Sequence, residues 1–268
     1  MLWNAKNGYV TIGDTKMNYV SFGYGEKILI LIPGLSDGLM TVKGKALLLA
    51  KPYRLFFKKY TVYMFSRKDV MPDGYSIRDM AHDQVKAMLT LSIEKASIMG
   101  VSQGGMIAQY MAIDHPELVD KLILAVTAPR VNNGIKDNVI KWIDFAQQGN
   151  HKALMIDTAE KGYSSNYLKK YRTIYPVVGF IGKPKTYDRF LINANAILQF
   201  NAYNEINEIT CPTLIIGGDE DKTVGVEASY ELNQKIKDSE LYIYCGLGHA
   251  AYEEAKDFNQ RVYDFLEK

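Results

Sequence analysis

A serine set among glycines is the strongest chemical signal in this chain. Gly100, Val101, Ser102, Gln103, Gly104 and Gly105 follow directly on the apolar run Ala96, Ser97, Ile98 and Met99. Met106, Ile107, Tyr110 and Met111 then recur at helical spacing. The pattern predicts a strand-to-helix turn with Ser102 at its apex, the glycines letting the backbone fold close while the hydroxyl projects outward. A helix opening at that point aims free N–H groups and its positive dipole end at the same spot, which suits a developing oxyanion. The short motif alone also fits a plain turn carrying an exposed serine, so the partners available to Ser102 must decide.

A hydroxyl is too weak a nucleophile at neutral pH without a base, and the base needs an acid to orient it. The chain holds four histidines. His82 lies in an amphipathic helical stretch, His115 precedes Pro116 at a helix end, and His151 falls in a polar mid-chain region. His249 differs: it follows the apolar segment Leu241, Tyr242, Ile243 and Tyr244 and a loop with Gly246 and Gly248, then leads through Ala250 and Ala251 into a C-terminal helix. A third strand end of this kind runs from Pro212, Thr213, Leu214, Ile215 and Ile216 into Gly217, Gly218, Asp219, Glu220 and Asp221. Asp is favoured in turns for local reasons, and that explanation covers at least two of these three carboxylates. The order serine, acid, histidine, each just beyond its own apolar strand, predicts convergence, because parallel strands of an open sheet deliver their carboxyl ends to one edge.

On these residues the chain resembles, nearly end to end, the α/β-hydrolase superfamily, in its carboxylesterase-like serine hydrolase form. Gly100 to Gly104 matches the family's nucleophile elbow. The family's acid, three residues after the glycine that closes its strand, maps from Gly218 onto Asp221, and its C-terminal histidine maps onto His249. Lys27 to Ile32 reads as a buried strand ending in Pro33, Gly34 and Leu35, where the family usually carries His-Gly. The resemblance implies an oxyanion hole made by the N–H of Leu35, with Ser36 as the alternative, and the N–H of Gln103. Pro33 leaves that amide in place and removes any role the usual imidazole has. The implied chemistry is acyl transfer through a covalent intermediate on Ser102, with no cofactor-binding residue and no metal ligand expected.

Composition agrees and sets limits. With 268 residues and 47% apolar content, the chain is sized for one large α/β domain or a domain with an inserted lobe. Lys plus Arg at 32 against Asp plus Glu at 30 gives +2, so no overall field favours nucleic acid or an anionic membrane. Met1 to Val10 lacks the pattern of a signal peptide, no stretch reaches the roughly 18 apolar residues of a membrane helix, and a cytoplasmic location is the expectation. Cys211 and Cys245 each border a predicted core strand and read as structural thiols outside any metal or redox spacing. The expected partner is a small ester-like molecule, and the oligomeric state is left open.

The elements that must position these residues alternate along the chain. Tyr9 to Ile12 and Met17 to Phe22 read as two antiparallel strands joined at Gly13 and Asp14. After Lys27 to Ile32 comes a helical region from Leu39 to Lys59 broken by Pro52, then a strand from Tyr60 to Phe65. Ser76 to Ser92 reads as a helix with Ile77, Met80, Ala81, Val85, Met88 and Leu89 on its apolar side, and Lys121 to Val126 as the strand after the elbow helix. This rhythm predicts an α/β class, a mostly parallel central sheet flanked by helices. It stops near Pro129 and resumes near Glu208; between them helical patterning dominates, as in Val139, Ile140, Ile143 and Phe145. The expected division is a core of residues 1–129 and 206–268 with a helical cap insertion at 130–205. Within the cap, Trp142, Phe145, Met155, Tyr163, Tyr167, Tyr171, Tyr175, Phe180, Phe190 and Phe200 supply apolar surface, expected mostly to pack against itself and the core.

Several reactions share such a scaffold. Relatives that open epoxides or displace halides carry an aspartate at the elbow, so Ser102 argues against those. Ester or thioester hydrolysis leads, and carbon–carbon bond hydrolysis of diketone-like substrates, which uses the same three residue types, is the alternative. No residue singles out perhydrolysis. A ligand-binding module on a hydrolase scaffold is the reading from another class, and it has no need of Ser102, Asp221 and His249 together.

Overall fold

The computed structural model describes residues 2–268. An N-terminal hairpin, β1 (Lys6–Ile12) and β2 (Thr15–Gly23), turns at Gly13, whose φ of +59° suits glycine. β3 (Lys27–Ile32) leads through a short 3₁₀ turn at Leu35–Gly38 to α1 (Ala46–Ala50), after which Pro52 sits in the first turn of a 3₁₀ stretch, where its missing N–H costs nothing. β4 (Tyr60–Lys68), α2 (Ile77–Thr90), β5 (Ala96–Val101), α3 (Gln103–Asp114) and β6 (Val119–Ala125) follow. Ser76 caps α2 in a reciprocal box with Asp79, which sets where that helix starts.

Between β6 and β7 (Thr213–Gly218) come α4 (Asn133–Gln147), α5 (His151–Gly162), α6 (Ser165–Tyr171), α7 (Tyr175–Val178) and α8 (Asp188–Leu198). A single antiparallel bridge from Arg130 to Asn201 ties the two ends of this helical segment together. The chain closes with α9 (Val226–Lys235), β8 (Ser239–Tyr244), α10 (Ala251–Glu254) and α11 (Phe258–Leu266).

All eight strands form one sheet in the order β1-β2-β4-β3-β5-β6-β7-β8, with β1-β2 and β2-β4 antiparallel and every later pair parallel. Both faces are covered, and side-chain alternation divides the core in two. Ile30, Ile32 and Ile98 join one layer with α2, α3 and α9, whereas Leu29, Leu31, Met99 and Val101 join the other with α1 and α11. β5 therefore lies between β3 and β6, and the carboxyl ends of β3, β5, β7 and β8 open toward one edge.

Two expectations about individual side chains, those for Leu89 and Cys245, are corrected. Leu89 is 56% exposed, because it follows Met88 by one residue and so stands about 100° round the axis from the buried stripe. Ile140, next to buried Val139, faces outward for the same reason. Cys245 is exposed in the turn after β8 and has no structural role as a buried thiol; Cys211 is half-buried, and burial pushes its thiol up to about 11. Among the described residues no helix is long and apolar enough to cross a membrane.

Candidate active site

Ser102 stands between β5 and α3 with φ 54° and ψ −121°, a backbone conformation that costs an L-residue about 1–3 kcal/mol. Its surroundings hold it there. Ser102 N donates to the Ala125 carbonyl at 2.9 Å, while its own carbonyl accepts from Gly105 N at 2.8 Å and from Thr127 Oγ1 at 2.7 Å. The flanking glycines serve close approach: a Cβ on Gly104 would fall 2.0 Å from the Ile32 carbonyl oxygen, and one on Gly100 would fall 2.4 Å from that of Gly104. Side chains there would push α3 off β3 and β5.

Ser102 Oγ lies 2.9 Å from His249 Nε2, and Nδ1 of the same ring lies 2.8 Å from Asp221 Oδ2. In the neutral tautomer with its proton on Nδ1, the ring donates to Asp221 and accepts from Ser102. The other oxygen of Asp221 accepts the amides of Thr223 and Val224 at 2.8 and 2.9 Å. Burial alone would raise the Asp221 carboxyl, but the His249 ring and the two amides outweigh it and hold the group below its ordinary value. Asp219 points elsewhere and accepts the Gly246 amide at 2.7 Å. The other histidines stay away from Ser102: His151 is buried against the Ile181 carbonyl, and His82 and His115 face one another edge-on.

Leu35 and Gln103 each open a helical turn whose N-cap residue, Gly34 or Ser102, makes no side-chain cap bond. Gly34 packs against Ser102: a Cβ there would lie 3.3 Å from Ser102 Cβ. Behind these two amides is a polar network that the sequence reading missed. Arg67, at the carboxyl end of β4 and 1% exposed, donates through Nη1 to the Gly34 carbonyl at 3.2 Å and through Nη2 to Gln103 Oε1 at 2.8 Å. Burial pulls its guanidinium down to about 10, against the pull of Asp37 and with some help from Arg189. Arg189, from α8, reaches Asp37 Oδ2 at 2.5 Å and the Arg67 carbonyl at 2.8 Å. On the other side, Asn132 and Asn138 of the α4 region donate to the Val224 and Lys222 carbonyls at 2.7 and 2.9 Å, bracing the loop that carries Asp221. A cation just past the predicted strand Tyr60 to Phe65 was the one sequence signal for Arg67; nothing local marked the rest.

A cavity of about 460 Å³ opens beside Ser102 and His249. Its wall is mainly apolar, with Leu154 and Ile197 from the helical segment facing Leu35 and Leu39. Seven of the ten aromatic or methionine side chains singled out in that segment line it, Trp142 and Phe190 while also buried in the core; Phe145 and Phe200 pack without reaching it, and Phe180 stands exposed. Tyr167 and Tyr171, four residues apart on α6, stack with centroids 4.1 Å apart, and Tyr163, in extended backbone just before that helix, stacks on Tyr167 at 4.5 Å, so that the three rings form an aromatic wall. Among the described residues no Lys or Arg lines the cavity, and Glu253 is its one carboxylate.

A family model described as the alpha/beta hydrolase fold matches residues 58–256. Among curated relatives, the chain is 25% identical to a 2-hydroxy-6-oxononadienedioate/2-hydroxy-6-oxononatrienedioate hydrolase of a Pseudomonas species, over 97% of this chain and 92% of that protein. It is 28% identical to the AB hydrolase superfamily protein YisY of Bacillus subtilis, over 75% and 77%. The enol-lactonase from Burkholderia xenovorans LB400 shares its fold at a TM-score of 0.85 and 20% identity, covering 97% of this chain and all (100%) of that one. An esterase from Exiguobacterium antarcticum superposes at a TM-score of 0.77 and 19% identity, covering 97% and 99%. With the sheet order, the elbow and the family match in agreement, this chain belongs to the α/β-hydrolase-fold family.

Proposed function

We propose that this protein is a carboxylesterase-like serine hydrolase that cleaves a small, uncharged carboxylic ester or thioester through an acyl-enzyme on Ser102. The observation that carries this reading is the 2.9 Å approach of His249 Nε2 to Ser102 Oγ, with Asp221 on the opposite ring nitrogen. His249 takes the Ser102 proton as the oxygen attacks the carbonyl carbon, and Asp221 stabilises the imidazolium that results. The amides of Leu35 and Gln103 hold the negative charge of the tetrahedral intermediate, each contributing about 3 kcal/mol. His249 then protonates the leaving alcohol or thiol, activates a water molecule, and the acid departs. In this reading residues 130–205 act as a cap that shapes the pocket.

The charge of the cavity wall supports an uncharged substrate. A dienedioate, the substrate class for which the Pseudomonas relative is named, would bring two carboxylates into a wall without Lys or Arg and with Glu253. Burying an unpaired carboxylate there would cost several kcal/mol. Carbon–carbon bond hydrolysis of an uncharged diketone-like substrate remains the second reading, supported by that relative's name and by the shared demand for the same three residues.

The test is treatment with an active-site phosphonate, together with assays of short p-nitrophenyl esters, thioesters and a vinylogous diketone, for wild type and Ser102→Ala. Phosphonate labelling and ester or thioester turnover that vanish in Ser102→Ala are expected. Binding of esters with no labelling and no turnover would instead favour a ligand-binding module, and turnover of the diketone alone would favour the second reading.

A further inference from the structure

Resting on the acyl-transfer reading above, we infer that Arg67 is a positioning residue for the oxyanion hole, its single guanidinium fixing both donor amides at once, and that Arg189 ties this device to α8.

The geometry starts at the Gly34–Leu35 peptide. Its two ends are the Gly34 carbonyl, which Arg67 Nη1 holds at 3.2 Å, and the Leu35 N–H, the first proposed donor. A peptide unit is planar, so anchoring the carbonyl sets the direction of the N–H on the other side. A charged donor on the carbonyl also polarises the whole unit and strengthens what its N–H can give. Arg67 Nη2 meanwhile holds Gln103 Oε1 at 2.8 Å, and Gln103 Nε2 donates to the Asn193 carbonyl at 2.8 Å. The Gln103 side chain is thereby tethered at both atoms of its amide, and its backbone N–H is the second donor.

The group is placed to act through these amides and not on substrate. Arg67 is buried and absent from the cavity wall, whereas Gly34, Leu35 and Ser102 are part of it. Asp37 lies between Arg67 and Arg189, at 3.7 and 2.5 Å, so two cations share one carboxylate directly beneath the oxyanion site. The surplus positive charge favours an anion forming above it. Arg189 Nε also donates to the Lys68 carbonyl, and Asn193 Nδ2 to the Arg189 carbonyl. Seating of α8 is thus coupled to the direction of both amides, which gives the helical segment a part in catalysis as well as in pocket shape.

The experiment compares wild type with Arg67→Met, Arg67→Lys and Gln103→Met. Steady-state kinetics on a p-nitrophenyl ester are paired with two inhibitors: a trifluoromethyl ketone, whose serine adduct places an oxyanion in the hole, and the matching carbinol, which fills the pocket without one. Arg67→Met is expected to lower kcat by about 100-fold with KM within about threefold, and to weaken the ketone about 100-fold while leaving the carbinol within about threefold. Arg67→Lys, able to hold one partner at a time, should recover part of the loss. If Arg67→Met fails to fold, Gln103→Met carries the test, with the same split at about tenfold. Equal losses for ketone and carbinol, or ketone binding and kcat within threefold of wild type in the folded variants, would overturn the role of Arg67. A wild-type protein that neither the ketone nor a phosphonate modifies would overturn the acyl-transfer reading first, and the positioning role with it.

Discussion

Asp221 meets His249 at 2.8 Å, whereas Asp219, two residues earlier in the same loop, turns to the Gly246 amide at 2.7 Å. Both aspartates bridge the ends of β7 and β8, but one orients an imidazole and the other shapes the turn that delivers it. Asp221→Asn is therefore expected to lower kcat by about 10⁴-fold, because an amide cannot hold the ring in the required tautomer or stabilise its cation. Asp219→Asn should keep turnover within about tenfold of wild type. Ester kinetics on the two variants decide between them; an inactive Asp219→Asn with an active Asp221→Asn would reverse the assignment.

The backbone strain at Ser102 makes a prediction separable from chemistry. Alanine at this position keeps a Cβ at a φ of 54°, and glycine does not. Ser102→Gly should accordingly be about 1 kcal/mol more stable than Ser102→Ala in urea denaturation, with both devoid of turnover. Equal midpoints would mean the elbow stores no such strain.

Two glycines at helix starts should respond in opposite ways to alanine. At Gly104 the new methyl would lie 2.0 Å from the Ile32 carbonyl oxygen, where only backbone can yield; at Gly134 its nearest neighbour would be Asn132 Oδ1 at 3.4 Å. Gly104→Ala is expected to lose about 2–3 kcal/mol of stability and most activity. Gly134→Ala should be neutral or gain up to about 1 kcal/mol with turnover unchanged. Thermal melts and ester assays on both variants check the pair.

Far from the site, Glu267 pins the end of α11 to the sheet through Lys59, Tyr60 and Lys27. Hydrogen bonds from Lys59 and Tyr60, with burial opposing them and Lys27 adding to them, hold its carboxyl at about 2. The folded value lies below the unfolded one of about 4.3, so the stabilisation is fully present above that pH and disappears as pH falls through about 2. Wild type should exceed Glu267→Gln by no more than about 1 kcal/mol at pH 7, given solvent screening, and the two should converge near pH 2. Denaturation curves across that range measure it; a constant gap would assign the contribution to packing.

The sequence by itself determined where the candidate catalytic residues stand along the chain. Ser102 and His249, the strand-helix rhythm around them and the helical interval after β6 were all legible, because turn chemistry and side-chain periodicity act over a few residues. Choosing Asp221 over Asp219 needed the family resemblance, since both sit in the same kind of loop. Tertiary structure decided the remainder. Arg67 and Arg189 behind the proposed oxyanion site, and Asn132 and Asn138 against the loop of Asp221, come from elements far apart in sequence; the tyrosine stack is local, but that it faces the cavity depends on how its helix docks, and Leu89 lost its expected place to a single step round a helix. Which side chains meet depends on how closely strands and helices pack and on the angle at which each residue leaves its axis, quantities that no local pattern of residues carries.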